Sequence, residues 1–237
     1  MTSKSKIEWT EVTWNPVTGC SKVSEGCLNC YAERMSKRLK AMKNKRYENE
    51  FKVTIHRDLF EEPLKWKKSR IIFVNSMSDL FHSDVPDDDI LKIFEVMNKA
   101  KHHIFQVLTK REDRLLELSK KIKWTDNIWM GVTVESDKYF KRIEVLRKID
   151  SKIKFLSCEP LLGSLKGIDL NGIDWVIVGG ESGPGAREMK EEWAINLLES
   201  SRKYKTKFFF KQWGGINKKK KGRLLQDKEY NEMPDVE

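Results

Sequence analysis

Short apolar runs alternate along this chain with amphipathic stretches, and each run closes on a polar cluster. Residues 70–74 (Arg-Ile-Ile-Phe-Val) lead into Asn75-Ser76-Met77-Ser78-Asp79, and residues 103–108 into Thr109-Lys110-Arg111. Residues 128–134 end in Glu135-Ser136, and 153–157 in Cys158-Glu159-Pro160. Residues 175–178 end in Gly179-Gly180-Glu181-Ser182-Gly183, and 207–210 in Lys211-Gln212-Trp213. Runs rich in β-branched and aromatic residues, without polar alternation, predict strands buried on both faces, as in a parallel sheet. Helices are predicted between them. Pro86 opens one with Asp87, Asp88 and Asp89 in its first turn, where the helix dipole favours negative charge. Others pass through Leu115, Leu116 and Leu118 and over 138–149.

The first seventy residues follow the pattern less regularly. Residues 7–9 and 12–14 read as short extended pieces, and 51–55 as a strand. Ala32, Met35, Leu39 and Met42 recur at three- to four-residue spacing and predict a basic helix over 31–45. Residues 59–66 read as a helical turn or two. Six to eight strand–helix units, with no glycine fingerprint after the first strand, predict an α/β fold. The expected architecture is a partial or complete TIM-like (β/α)6-8 barrel of parallel strands. In such barrels the strands' C-terminal ends form the active-site face, and the polar clusters all fall there. This is the layout of an enzyme. The expected organisation is one barrel domain over residues 1–237, with a cysteine loop at 15–31 and a flexible basic segment at 216–237.

Composition adds a charge argument. The 237 residues hold 46 Lys and Arg against 36 Asp and Glu, a net charge of +10 that suits polyanionic partners such as DNA or RNA. Lys218–Lys221 and Arg223 are candidate phosphate contacts. No run approaches the roughly 18 apolar residues of a membrane span, so a soluble, cytoplasmic protein without membrane contact is expected.

The candidate chemistry sits early. Three of the four cysteines, Cys20, Cys27 and Cys30, follow the order Cys-x6-Cys-x2-Cys on a segment that Pro16, Gly19 and Gly26 keep a loop. The loop runs into a helix beginning at Tyr31, whose N-terminus favours anionic groups. A structural zinc site usually takes four protein ligands, and a cluster usually four cysteines. Three thiols therefore leave three readings open: an iron–sulfur cluster with one open iron, zinc completed by Cys158 or a histidine, or plain buried structural thiols. Ser76, Ser78, Asp79, Lys110, Glu135, Cys158, Glu159, Glu181, Lys211 and Gln212 are the polar groups that could line a common mouth.

Gly19-Cys20, Gly26-Cys27-Leu28-Asn29-Cys30-Tyr31-Ala32, the Ser76–Asp79 strand end and Leu108-Thr109-Lys110-Arg111 resemble the spore-photoproduct-lyase-like branch of radical S-adenosylmethionine (SAM) enzymes. Nearly the whole chain also resembles a phage-associated three-Cys-motif family of unknown function. That likeness rests on Thr13–Cys20, Ser157–Gly163 and Gly179–Gly183. The first resemblance implies a [4Fe–4S] cluster on Cys20, Cys27 and Cys30, with SAM on the open iron and an electron-donor protein. SAM contacts would then come from Tyr31, Ser76, Ser78, Asp79, Glu135 and Glu181, and catalytic roles from Cys158, Glu159 and Lys110. Two departures stand out: the first spacing is six residues rather than the commoner three, and Gly179-Gly180-Glu181 comes late in the chain. A nucleic-acid or nucleotide-derived substrate and a partner encoded by a neighbouring gene complete the expectations. A zinc-stabilised nucleic-acid-binding module without catalysis is the rival.

Overall fold

The structure is a computed structural model describing Ser5 and residues 7–217 and 222–235. Seven strands form one parallel sheet: β1 (Val12–Trp14), β4 (Ile71–Val74), β5 (Ile104–Thr109), β6 (Ile128–Thr133), β7 (Ile153–Cys158), β8 (Trp175–Gly179) and β9 (Lys207–Gln212), in that order. A second, two-stranded antiparallel sheet pairs β2 (Val17–Thr18) with β3 (Thr54–Ile55). Helices α1 (Tyr31–Ala41), α2 (Asp87–Lys99), α3 (Glu112–Ser119), α4 (Lys141–Arg147) and α5 (Glu191–Tyr204) alternate with the strands. Among the described residues this is a partial TIM-like α/β fold of seven parallel strands.

The chain divides into two compact units. The first takes the residues up to Val23, then Cys30–Met130 and Ile149–Lys152; the second takes Ser24–Asn29, Gly131–Lys148 and the chain from Ile153. In the first, β1, β4 and β5 lie in parallel register, Val12 opposite Ile72 and Ile72 opposite Phe105. Trp14, Ile72, Phe81, Ile90, Phe94 and Phe105 form its core. In the second, Leu156 faces Val176 and Val176 faces Phe208 across parallel pairs. Phe155, Trp175, Phe208 and Phe210 are fully buried there. Each large apolar side chain so buried contributes about 1.5–3 kcal/mol. Gly180 lies against β9, where a Cβ would meet the Trp213 carbonyl oxygen at 2.0 Å, so only glycine admits that approach.

Several predicted elements come out shorter. Residues 7–9 form a turn rather than an extended piece, with the Thr10 amide donating to the Ile7 carbonyl. Helix α1 stops at Ala41 because Lys43 takes a left-handed conformation (φ 58°). The Asn44 amide then reaches the Leu39 carbonyl at 3.0 Å and the Lys43 amide that of Lys40 at 2.8 Å. This is a Schellman ending built on lysine instead of glycine, which hid the boundary from the sequence. Only Thr54–Ile55 of the predicted 51–55 strand pairs. Residues 59–66 hold 3-10 turns, and the 138–149 helix splits into a 3-10 turn at Asp137–Tyr139 and α4. Helix α2 begins where predicted, and Asp87 and Asp89 also pair with Arg114 and Arg57.

Candidate functional site

Polar residues follow the C-terminal ends of six of the sheet strands: Asn75 to Asp79 after β4, Lys110 and Arg111 after β5, Glu135 beyond β6, Glu159 after β7, Glu181 beyond β8, and Lys211 and Gln212 closing β9. In parallel βα folds this is the end where ligands bind.

In the first unit, the turn after β4 grips the segment that delivers Cys20. Asn75 (φ 59°) accepts the Val17 amide on its Oδ1 at 3.3 Å. Ser76 Oγ donates to Asn15 Oδ1 at 3.2 Å and Ser78 Oγ to the Val17 carbonyl at 2.9 Å. Asp79 accepts from Thr109 Oγ1 at 2.7 Å and from the amides of Phe81 and Lys110, each at 3.0 Å. Those bonds tie the β4 and β5 ends together and turn Arg111 toward the cysteine loop. Arg111 Nη2 donates to Ser21 Oγ at 2.9 Å and stands 3.9 Å from Cys20 Sγ. A guanidinium there suits a sulfur that ligates as the thiolate. His82 Nδ1 accepts the Asp84 amide, so Nε2 carries the proton and donates to Ser21 Oγ at 2.7 Å. Burial and Arg111 push this imidazole below its usual range, which keeps it neutral. Cys30 stands at the N-cap position of α1 without a side-chain cap bond and packs against Ala32, Tyr47 and Met77, while Tyr31 projects outward, 60% exposed.

In the second unit, Cys27 ends a 3-10 turn at Glu25–Cys27. Ser24 Oγ donates to Glu135 Oε1, and Arg142 donates to Glu135 Oε2 at 2.8 Å. Gly26 lies so close to Glu135 that a Cβ would meet its Oε1 at 2.5 Å. Glu181 accepts Arg187 on both oxygens, at 2.6 and 2.9 Å, and the Asn29 side chain at 3.0 Å. Burial raises the Glu181 carboxyl, but the bonds from Arg187 and Asn29 outweigh it and hold it down at about 2. Cys158, the last residue of β7, is completely buried, and desolvation with the nearby Glu135 charge pushes its thiol far upward. Glu159 is half-buried and accepts both Lys211, at 2.7 and 2.8 Å, and Gln212.

None of the four cysteines is in a disulfide, and Cys20, Cys27 and Cys30 are each half-buried. Among the described residues no three His, Cys, Asp or Glu side chains form a group able to hold a metal ion. Thiolates are soft donors, and Arg111 beside Cys20 favours the thiolate form there. His56 is engaged by Thr18 at 2.9 Å and His82 by Ser21, so both are structural histidines.

Sequence reasoning missed five residues at these ends: Ser24, Asn29, Arg111, Arg142 and Arg187. Ser24 and Asn29 stood inside the cysteine loop, a signal in plain view. Arg111 closed a strand-end cluster, but its partner Ser21 lies 90 residues away. Arg142 and Arg187 stand only seven and six residues beyond Glu135 and Glu181, yet no periodicity marks either pairing. Of the basic segment, Lys218–Lys221 lie outside the described residues. Arg223 binds Asn231 and stacks over Phe209 at 5.2 Å. Among the described residues no helix is long and apolar enough to cross a membrane.

Known structures share this fold. Spore photoproduct lyase complexed with dinucleoside spore photoproduct superposes with a TM-score of 0.51 at 14% identity, over 86% of this chain and 64% of the lyase chain. A mutant lyase with bound AdoMet and dinucleoside spore photoproduct gives 0.53 at 14% identity, over 86% and 75%. The chain thus spans less than two thirds of the first lyase chain, and the likeness is one of fold. No curated protein sequence matches. A family model does match, over residues 4–234: the chain belongs to the protein family of unknown function DUF5131.

Proposed function

We propose that this protein is a radical SAM-type enzyme, with a [4Fe–4S] cluster on Cys20, Cys27 and Cys30 and a nucleic-acid or nucleotide-derived substrate. One observation carries the reading: a Cys-x6-Cys-x2-Cys loop stands on a fold like that of spore photoproduct lyase, one structure of which holds AdoMet and a dinucleoside photoproduct. When bound, such a cluster with SAM supplies a 5′-deoxyadenosyl radical on reduction, able to take hydrogen from a C–H bond.

The chain's own residues divide the remaining work. Arg111 balances the negative charge of the Cys20 thiolate. Tyr31, on the exposed start of α1, and the Ser76–Asp79 strand end are candidates for SAM contact. Lys110 and the Glu159–Lys211 pair are candidates for holding polar groups of the substrate. Cys158 stays protonated in its buried setting, as a donor of a hydrogen atom to a product radical must. An electron-donor protein supplies the reductant, and the net charge of +10 suits a polyanionic substrate. A second protein from a neighbouring gene would complete the system.

The zinc-stabilised binding module is not favoured. Cys158 is fully buried within β7, where desolvation disfavours the thiolate that zinc would need, so it is a poor fourth ligand. Anaerobic reconstitution with iron and sulfide tests the proposal and should give about four irons per chain. Dithionite with SAM should then release 5′-deoxyadenosine even without substrate. One tightly held zinc and no iron uptake would sink the reading.

A further inference from the structure

The turn Ser24–Asn29 has one short element of its own, Glu25–Cys27. It makes one 3-10 turn, with the Cys27 amide donating to the Ser24 carbonyl at 3.0 Å and the Leu28 amide to the Glu25 carbonyl at 3.2 Å. A single turn of that kind does not persist alone, because nucleation costs more than one hydrogen bond returns. Its position is imposed by side chains distant in sequence. Arg187 Nη2 donates to the Glu25 carbonyl at 2.9 Å, and Lys138 pairs with the Glu25 carboxylate. Asn29 Nδ2 donates both to Glu181 Oε2 at 3.0 Å and to the Gly185 carbonyl at 2.9 Å.

Glu181 is the hub. Its Oε1 accepts Arg187 Nη2, and its Oε2 accepts Arg187 Nε, the Arg187 amide and Asn29. A carboxylate so fully engaged, 5% exposed, has little left to offer a cofactor. Buried ion pairs are also weak sources of net stability compared with apolar packing. What a two-pronged guanidinium–carboxylate pair does supply is fixed geometry. Here that geometry is handed to Asn29, two residues after Cys27 and one before Cys30.

We propose that Glu181, oriented by Arg187, is a positioning residue for the cysteine turn, instead of contacting SAM: it holds Asn29 and thereby the C-terminal side of the turn that carries Cys27, whose sulfur meets Ser24 Oγ at 3.6 Å on the other side. This rests on the reading of Cys27 as a cluster ligand. Partners that orient a metal ligand change metal affinity by roughly 10- to 100-fold when removed.

The experiment uses the full-length chain with Asn29→Ala, Glu181→Gln and Glu181→Asp. Two quantities are read: iron retained by the reconstituted protein against a chelator, and alkylation of each cysteine in the iron-free protein by mass spectrometry. Asn29→Ala and Glu181→Gln should weaken iron retention by about 10- to 100-fold. Both should speed alkylation at Cys27 while leaving Cys158 and the melting temperature of Asn29→Ala unchanged. Glu181→Asp, which keeps the charge, should recover part of the loss. Wild-type retention and wild-type Cys27 reactivity in Asn29→Ala would overturn the inference, even if Glu181→Gln fails to fold. Should the wild-type chain take up no iron, the cluster reading falls, and the Cys27 alkylation rates alone decide the positioning role.

Discussion

Arg142 donates to Glu135 at 2.8 Å with both side chains withdrawn from solvent, 4% and 0% exposed. Arg142 also donates to the Thr133 carbonyl and lies over the Tyr139 ring at 4.2 Å, so its orientation is fixed from three sides. Removing one member of such a pair leaves an uncompensated buried charge. Arg142→Met should therefore destabilise the protein by about 3–5 kcal/mol in denaturant unfolding. Adding Glu135→Leu should recover most of that loss, since the stranded carboxylate is then gone.

Glu181 predicts an acid limb in the stability profile. Its folded carboxyl is held at about 2, against an ordinary value of 4.5. A depressed folded value contributes stability that is present above the unfolded value and lost as pH falls through the folded one. The window is therefore about pH 4.5 down to 2, with a loss on the order of 3 kcal/mol. Glu181→Gln should flatten this part of the curve, measured by thermal melting across pH.

Substituting each cysteine of the loop tests the ligand set directly. Cys20→Ala, Cys27→Ala and Cys30→Ala should each abolish both iron incorporation and 5′-deoxyadenosine release. Cys20 is the sharpest case, because six residues separate it from Cys27. A full cluster in Cys20→Ala would remove it from the ligand set.

Cys158→Ala should keep the cluster and SAM cleavage, because the thiol is buried inside β7. If Cys158 returns a hydrogen atom to the product radical, the variant should stall or misdirect product formation, read by mass spectrometry. Loss of iron in this variant would instead make Cys158 a ligand.

Changing Lys218 to Lys221 to glutamine tests the polyanion reading. If these lysines neutralise phosphates, the slope of log affinity against log salt should fall in magnitude by up to about 3.5 on duplex DNA. Arg223→Gln should change that slope little, because its guanidinium is already committed to Asn231 and Phe209. An unchanged slope in the lysine variant would mean the run makes no phosphate contact.

By itself the sequence determined the α/β class, the cysteine loop and the strands of the parallel sheet, but neither β2 nor the turn at 7–9. Those depend on local pattern: continuous apolar runs make buried strands, and Pro16 and Gly19 interrupt the chain before Cys20, although Val17–Thr18 pairs as β2 and Gly26 and Cys27 fall in a 3-10 turn. It also determined that polar groups close the strands, because Asp79, Glu135, Glu159 and Glu181 each stand just beyond an apolar run. What those groups do was decided by tertiary structure alone. Nothing near Glu135 or Glu181 in the chain shows that one accepts Ser24 and the other Asn29, partners 111 and 152 residues away. The helix ending at Lys43 was equally hidden, since a lysine in a left-handed conformation leaves no mark in composition. Local periodicity follows from neighbours a few residues apart, whereas the bonding of a buried carboxylate depends on which distant donors the fold brings within 3 Å.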